Sequence, residues 1–245
     1  MKLLLICLAL FSAPILADEI HPLGLVQAVE ADQLSVVRRT IERGNATVDQ
    51  MVSSSPYGEN GISILALAAR AGAVRVAEYL INNGANLDIK NSAGETAIML
   101  AAFFDDAYWK GEGRFENNDA IARMLVDHGA NLDNGNFWGA LAYAGYKGRS
   151  FIGNYMIQHG APVDGYVKNG ISQYLTPLMM AARNGHKNFT LILLRAGADP
   201  TIKTPDGVTA HYLAKYYKQT HLIGYIECAL ELKADEKFSD KCEGQ

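Results

Sequence analysis

One stretch, "TPLMMAARNGHKNFTLILLRAGADP" (176–200), recurs in altered form along most of this chain, and the recurrence constrains the fold more than any single motif. "SILALAARAGAVRVAEYLINNGANLD" (63–88) keeps its spacing. "GALAYAGYKGRSFIGNYMIQHGAPVD" (139–164) fits without a gap, with Gly139 in the threonine place. "TAIMLAA" (96–102) and "IARMLVDHGANLD" (121–133) are the two halves of another copy, and degenerate copies stand at 25–46 and 209–232. A unit this short cannot bury its own apolar face, so the copies must stack. Within 63–82, Leu65, Ala68 and Ala69 share one face of a short helix, and small residues there let neighbouring helices approach. Val76, Leu80 and Ile81 form the stripe of a second, antiparallel helix. Gly84, Gly129, Gly160 and Gly197 each follow such a stripe, where a left-handed residue ends a helix. Thr96, Thr176 and Thr209 occupy N-cap positions, and Pro177 a first helical position.

The order T-P-L, then A-A, then G-H, an apolar helix and G-A-D resembles the ankyrin repeat. The resemblance implies an all-α repeat solenoid of about six ankyrin repeats, each a pair of antiparallel helices joined by hairpin loops, with degenerate end caps. It would cover 18–233 and leave 234–245 as a C-terminal tail. It also implies that the protein works by binding another protein on the concave face, which the first helices and the loops after each G-A-x-x-D would line.

Departures from the period matter most, because insertions in repeat proteins map to loops and often to the binding face. Ala69 and Leu80 stand 11 residues apart, whereas the equivalent Ala102 and Leu125 stand 23 apart. The third copy therefore carries 12 extra residues between its helices, within 103–118. Smaller expansions lie at 47–61, rich in turn formers, and at 165–175, which contains Tyr174. Phe103, Phe104, Tyr108, Trp109 and Phe115 make the insertion too aromatic for a disordered spacer. Phe103 and Phe104 have two readings, a helix extension covering the next repeat or a partner contact. Tyr108 and Trp109 are amphipathic residues of the kind enriched at interfaces. The resemblance places Trp138 and Tyr146 on the groove. Together with Asp105, Asp106, Glu112 and Glu116 these residues form an expected aromatic-acidic patch that would suit a basic protein. The candidate partner-binding set is thus Phe103, Phe104, Asp105, Asp106, Tyr108, Trp109, Phe115, Trp138, Tyr146 and Tyr174.

The chain opens "MKLLLICLALFSAPILADEI", a lysine, a short apolar run and small residues ending at Ala17. That layout reads as a cleaved signal peptide over 1–17, too short to anchor in a bilayer, and predicts an exported, periplasmic protein with no membrane anchor after cleavage. Beyond it only Cys228 and Cys242 remain. In an oxidising compartment they read as a disulfide closing a loop of 15 residues, for which chain entropy contributes about 3 kcal/mol. The alternative is one buried and one exposed thiol. A formal net charge of −4 without a basic block argues against nucleic acid as partner. The protein is expected to be a monomer on its own.

No HExxH, GxSxG or Walker A pattern occurs, so no enzymatic activity, cofactor or metal is expected. His186 belongs to the G-H element and reads as a structural bridge between repeats. His128 and His159 occupy equivalent places near helix C-termini, where imidazoles are favoured. Among exported bacterial ankyrin proteins, the resemblance points first to an immunity protein that inhibits a secreted toxin such as a phospholipase-type effector. The alternatives are a scaffold or assembly factor for an envelope enzyme of the catalase or oxidative-stress kind, or a secreted effector that binds host proteins.

Overall fold

Short helices alternate in pairs along the chain. They are α1 (Pro22–Glu30) and α2 (Leu34–Glu42), α3 (Ile64–Ala71) and α4 (Val74–Asn82), α5 (Ala97–Phe103) and α6 (Glu116–Asp127). Then follow α7 (Ala140–Lys147) and α8 (Ser150–Gln158), α9 (Pro177–Asn184) and α10 (Lys187–Arg195), α11 (Ala210–Tyr216) and α12 (Thr220–Leu230). The computed structural model describes residues 22–104, 116–133, 138–165, 167, 170–232 and 236–242. The expected leader at 1–17, and Asp105, Asp106, Tyr108, Trp109 and Phe115, lie outside the described residues.

Odd-numbered helices pack on odd-numbered neighbours and even on even, giving two layers that enclose one continuous apolar core. The small residues of the repeat explain the close approach. Ala68, Ala69, Ala101, Ala102, Ala144, Ala181 and Ala182 are all fully buried at the centres of the odd helices. At Gly145 even a Cβ would stand 2.9 Å from the Pro177 carbonyl oxygen of the next odd helix. Thr176 Oγ1 accepts from Met179 N at 3.2 Å and Thr209 Oγ1 from Tyr212 N at 3.1 Å, as N-caps should. Thr96 also occupies an N-cap position, where its own N–H donates to Met99 Sδ at 3.3 Å, while its buried hydroxyl has no hydrogen-bond partner among the described residues.

The expansion at 47–61 corrects the all-α expectation. It contains β1 (Met51–Ser54), which pairs antiparallel with β2 (Gly58–Ser63) through Val52 opposite Ile62, with a bulge between Val52 and Ser54. Val52 and Ile62 are both buried, so paired strands with an apolar contact stand where the turn-rich composition pointed to loop alone. At the other end Cys228 and Cys242 are joined in a disulfide. The bond ties α13 (Phe238–Cys242) to α12, and Phe238 is buried against the stack. Among the described residues no helix is long and apolar enough to cross a membrane.

The tightest fit in the even layer is Phe189 of α10, which is fully buried against Gly153 of α8. A Cβ at 153 would lie 2.2 Å from Phe189 Cε2. Gly153→Ala should therefore destabilise the fold by about 2 kcal/mol through overpacking, measured by urea denaturation, although alanine is the better helix former. An unchanged or raised midpoint would contradict this packing.

Candidate functional site

Each odd helix ends one or two residues after its small pair, and equivalent positions line up along the stack. One such column contains Arg70, Phe103, Tyr146, Arg183 and Tyr216. Phe103 ends α5 and enters an aromatic cluster with the next helix pair, in keeping with its reading as a helix extension covering the next repeat. It stacks on Tyr146 at 5.7 Å between centroids, meets Phe104 edge-on at 5.0 Å, and meets Tyr143 edge-on at 5.5 Å. Trp138 reaches the same Tyr143 edge-on at 6.0 Å. Phe103 thus brings Phe104 and Tyr146 together, and Trp138 joins them through a residue that the sequence reading missed, Tyr143. Its equivalents Leu67, Leu100, Met180 and Leu213 are apolar and buried, so a tyrosine in that column was the available signal.

Tyr143 is fixed at its hydroxyl as well as its ring. It donates to Glu95 Oε1 at 2.9 Å, while Tyr57 of the hairpin donates to Glu95 Oε2 at 3.2 Å and Asn91 Nδ2 donates to the same oxygen at 2.9 Å. Burial, then the Glu95 charge, pushes the Tyr57 phenol up to about 12, and the same two causes raise Tyr143. Both phenols therefore stay protonated donors at neutral pH. The Arg70 guanidinium lies 5.6 Å from the Tyr57 ring centre. The carboxylate so links the third and fourth helix pairs to the β-hairpin.

The opposite edge, at the loops between pairs, carries aspartates. Asp49 Oδ1 accepts from Asn86 N at 2.7 Å, Asp88 Oδ1 from Asn131 N at 2.9 Å, and Asp164 Oδ1 from Asp199 N at 3.0 Å. Where the next step of this ladder would fall on residue 162, the chain has proline, which offers no N–H. A pocket opens beside it, lined by Trp138, Tyr174, Asp133, Asp164 and Pro162. Tyr174 joins the site here, as part of the pocket lining. Asp164 is pushed up to about 6, chiefly by burial; the Asp199 amide opposes the shift and the Asp199 carboxylate adds to it.

The insertion interrupts the third pair without breaking the stack, and Arg149 shows how. Its side chain is 2% exposed, donates to Ala101 O at 2.9 Å and Phe104 O at 2.7 Å, and forms an ion pair with Asp119. It thereby caps α5 and clamps the residues on either side of the inserted segment. The same role recurs at equivalent positions. Asn118 Nδ2 donates to Ala69 O at 2.7 Å, His186 Nε2 bonds Tyr146 O at 2.9 Å, and Gln219 Nε2 donates to Arg183 O at 3.4 Å. Each satisfies a carbonyl that the preceding odd helix leaves open at its C-terminus. His128 and His159 bond carbonyls of their own helices, Met124 O and Tyr155 O, both at 2.8 Å. Among the described residues no three His, Cys, Asp or Glu side chains gather to hold a metal ion.

A family model described as ankyrin repeats in three copies matches residues 25–109, and one for a single ankyrin repeat matches 173–205. A Treponema pallidum protein named for its ankyrin repeats is 35% identical over 104 residues, covering 42% of this chain and 29% of that protein. The start control protein cdc10 of Schizosaccharomyces pombe is 26% identical over 186 residues, covering 66% of this chain and 23% of the yeast protein. The match thus spans between about a quarter and a third of either relative's length.

Arg149→Ala should lower stability by about 3 kcal/mol, because it orphans two buried carbonyls and one carboxylate. Arg149→Lys should restore little of it, since an ammonium cannot span the guanidinium's three partners; full rescue in chemical denaturation would refute the clamp. For Asp164, the folded state keeps its proton up to about pH 6, whereas an unfolded aspartate releases it near 3.8. The stabilising contribution is therefore fully present below 3.8 and is lost as pH rises through about 6. Relative to Asp164→Asn, the wild type should gain about 1 kcal/mol between pH 7 and pH 4, with solvent screening allowed for. Parallel pH–stability curves for the two proteins would exclude this assignment.

Proposed function

The chain carries ankyrin repeats, and from that premise we propose that it acts by binding a protein partner on the concave face of a six-repeat solenoid in the bacterial periplasm. The observation that carries this reading is the aromatic cluster of Phe103, Tyr146 and Trp138 around Tyr143, held by Glu95 and continued by exposed Tyr216 along the same column. Aromatic side chains dominate binding energy at protein interfaces. Here ring packing holds these side chains, and a hydroxyl bond to Glu95 holds Tyr143, before any partner arrives, so little ordering entropy is lost on docking. Such stiffness suits tight, one-to-one inhibition. Within this reading the protein is the immunity partner of a secreted toxin, of phospholipase type, whose catalytic cleft it covers. The leader-like sequence at 1–17 supports export to the compartment where such a toxin would act.

The test is affinity capture from periplasmic extract, followed by titration of the purified partner. The expected result is a one-to-one complex that suppresses the partner's enzymatic activity and weakens at least tenfold with Tyr146→Ala or Trp138→Ala. A partner whose activity rises on binding would replace inhibition with assembly. Capture unaffected by either substitution would remove the aromatic face from the mechanism.

A further inference from the structure

Asp105, Asp106 and Glu112 of the insertion lie outside the described residues, and the described part of this face carries cations. In the stretch from α7 to α11, cations and rings are interleaved along the ends of the odd helices. Lys147 Nζ lies 4.7 Å from the Phe103 ring centre, and Arg183 Cζ lies 5.2 Å from that of Tyr217. Tyr217 meets Tyr216 edge-on at 5.1 Å, and Tyr216 stacks on Tyr212 at 5.9 Å. Tyr146, Tyr212, Tyr216 and Tyr217 are all exposed. Among the described residues neither Lys147 nor Arg183 forms an ion pair with a carboxylate.

A backbone observation points the same way. The turn after an odd helix takes a left-handed residue: Gly72, Gly148 and Gly185 at φ 68°, 70° and 76°, and Asp32 at φ 51° after α1, where its carboxylate pairs with Arg75. After α11 the same slot holds Lys218 at φ 59°, a conformation that lysine adopts only under strain. Its exposed ammonium makes no ion pair among the described residues. Asp32 in the equivalent slot pairs its charge with Arg75, whereas the Lys218 charge stays open to a partner.

We propose that the face takes an acidic partner segment, with its carboxylates on Lys147, Arg183 and Lys218 and its aromatic or apolar side chains on Tyr146 and Tyr216. This deepens the reading of the face as a partner-binding surface and rests on it. The rings hold the Lys147 and Arg183 cations beside the face, and a guanidinium stacked on a tyrosine keeps its edge free for a carboxylate. The aspartates at 49, 88, 164 and 199 repel the same segment from the loop edge. Charge therefore fixes which side of the face the segment lies on.

The test uses two fluorescein-labelled peptides, four tandem copies of Glu-Glu-Tyr-Gly and four of Lys-Lys-Tyr-Gly, titrated with the full chain and read by fluorescence anisotropy. The acidic peptide should bind at least about tenfold more tightly, and its affinity should fall severalfold between low and physiological salt. Lys147→Glu with Arg183→Glu should abolish the preference, Lys147→Gln with Arg183→Gln should reduce it, and Lys218→Gly should weaken binding about threefold while leaving the fold intact. A preference for the basic peptide, equal affinities, or no binding of either would overturn the proposal. The natural partner separates this failure from that of the underlying reading. A captured partner lost with Tyr146→Ala but retained by the double glutamate variant keeps the face and discards the acidic ligand. Capture indifferent to both sets discards both.

Discussion

Backbone approach between the odd helices, permitted by alanine and glycine at their centres, is the constraint on which the rest of the structure depends. Ala68–Ala69, Ala101–Ala102, Ala144–Gly145 and Ala181–Ala182 occupy the same two positions in successive helices and have little or no exposure. With nothing larger in those places, each helix settles against the next in one register, and every other position falls into a column. The column immediately outside the small pair is the one that carries Arg70, Phe103, Tyr146, Arg183 and Tyr216. A bulky residue in the small pair would separate two helices and misalign that column as a whole. The core and the candidate face are two consequences of one packing rule.

A stack of this kind tolerates interruption only if the helix ends on either side remain satisfied. The column of Asn118, Arg149, His186 and Gln219 supplies that satisfaction by reaching back to open carbonyls of the preceding odd helix. Arg149 is the strongest member because its fork meets two carbonyls and Asp119 together. It stands where the repeat motif has histidine, and its extra reach coincides with the one place where the chain leaves the period by 12 residues. The insertion is thereby carried as an addition to the fold.

Electrostatics divides the face in two. Carboxylates accept backbone N–H groups from loop to loop along one edge, and cations rest on aromatic rings along the other. The formal charge of −4 conceals this arrangement, because a net sum carries no geometry. Glu95 is the exception that belongs to neither edge. It is enclosed by two phenols and an amide, and it stiffens the junction between hairpin, third pair and fourth pair.

Periodicity, small-residue pairs, glycines after each apolar stripe and threonines before each helix were all legible in the chain, because each is a local requirement of a short helix. They are enough to determine paired helices, a stacked core and the position of the insertion. The two cysteines were equally visible, but whether they bond depended on where α12 and the tail meet. The hairpin at 51–63 was hidden by its glycines and serines, since two strands of this length hold together only against a helix layer that buries Val52 and Ile62. Tyr143 as hub, the meeting of Tyr57 with Glu95 across 38 residues, and the clamp of Arg149 on Asp119 across 30 belong to the tertiary structure alone. So does the placing of Lys147 on Phe103 and of Arg183 on Tyr217. Each depends on which side chains come within a few ångströms after the repeats have stacked, and a local period specifies that repeats stack without specifying which unlike residues then touch.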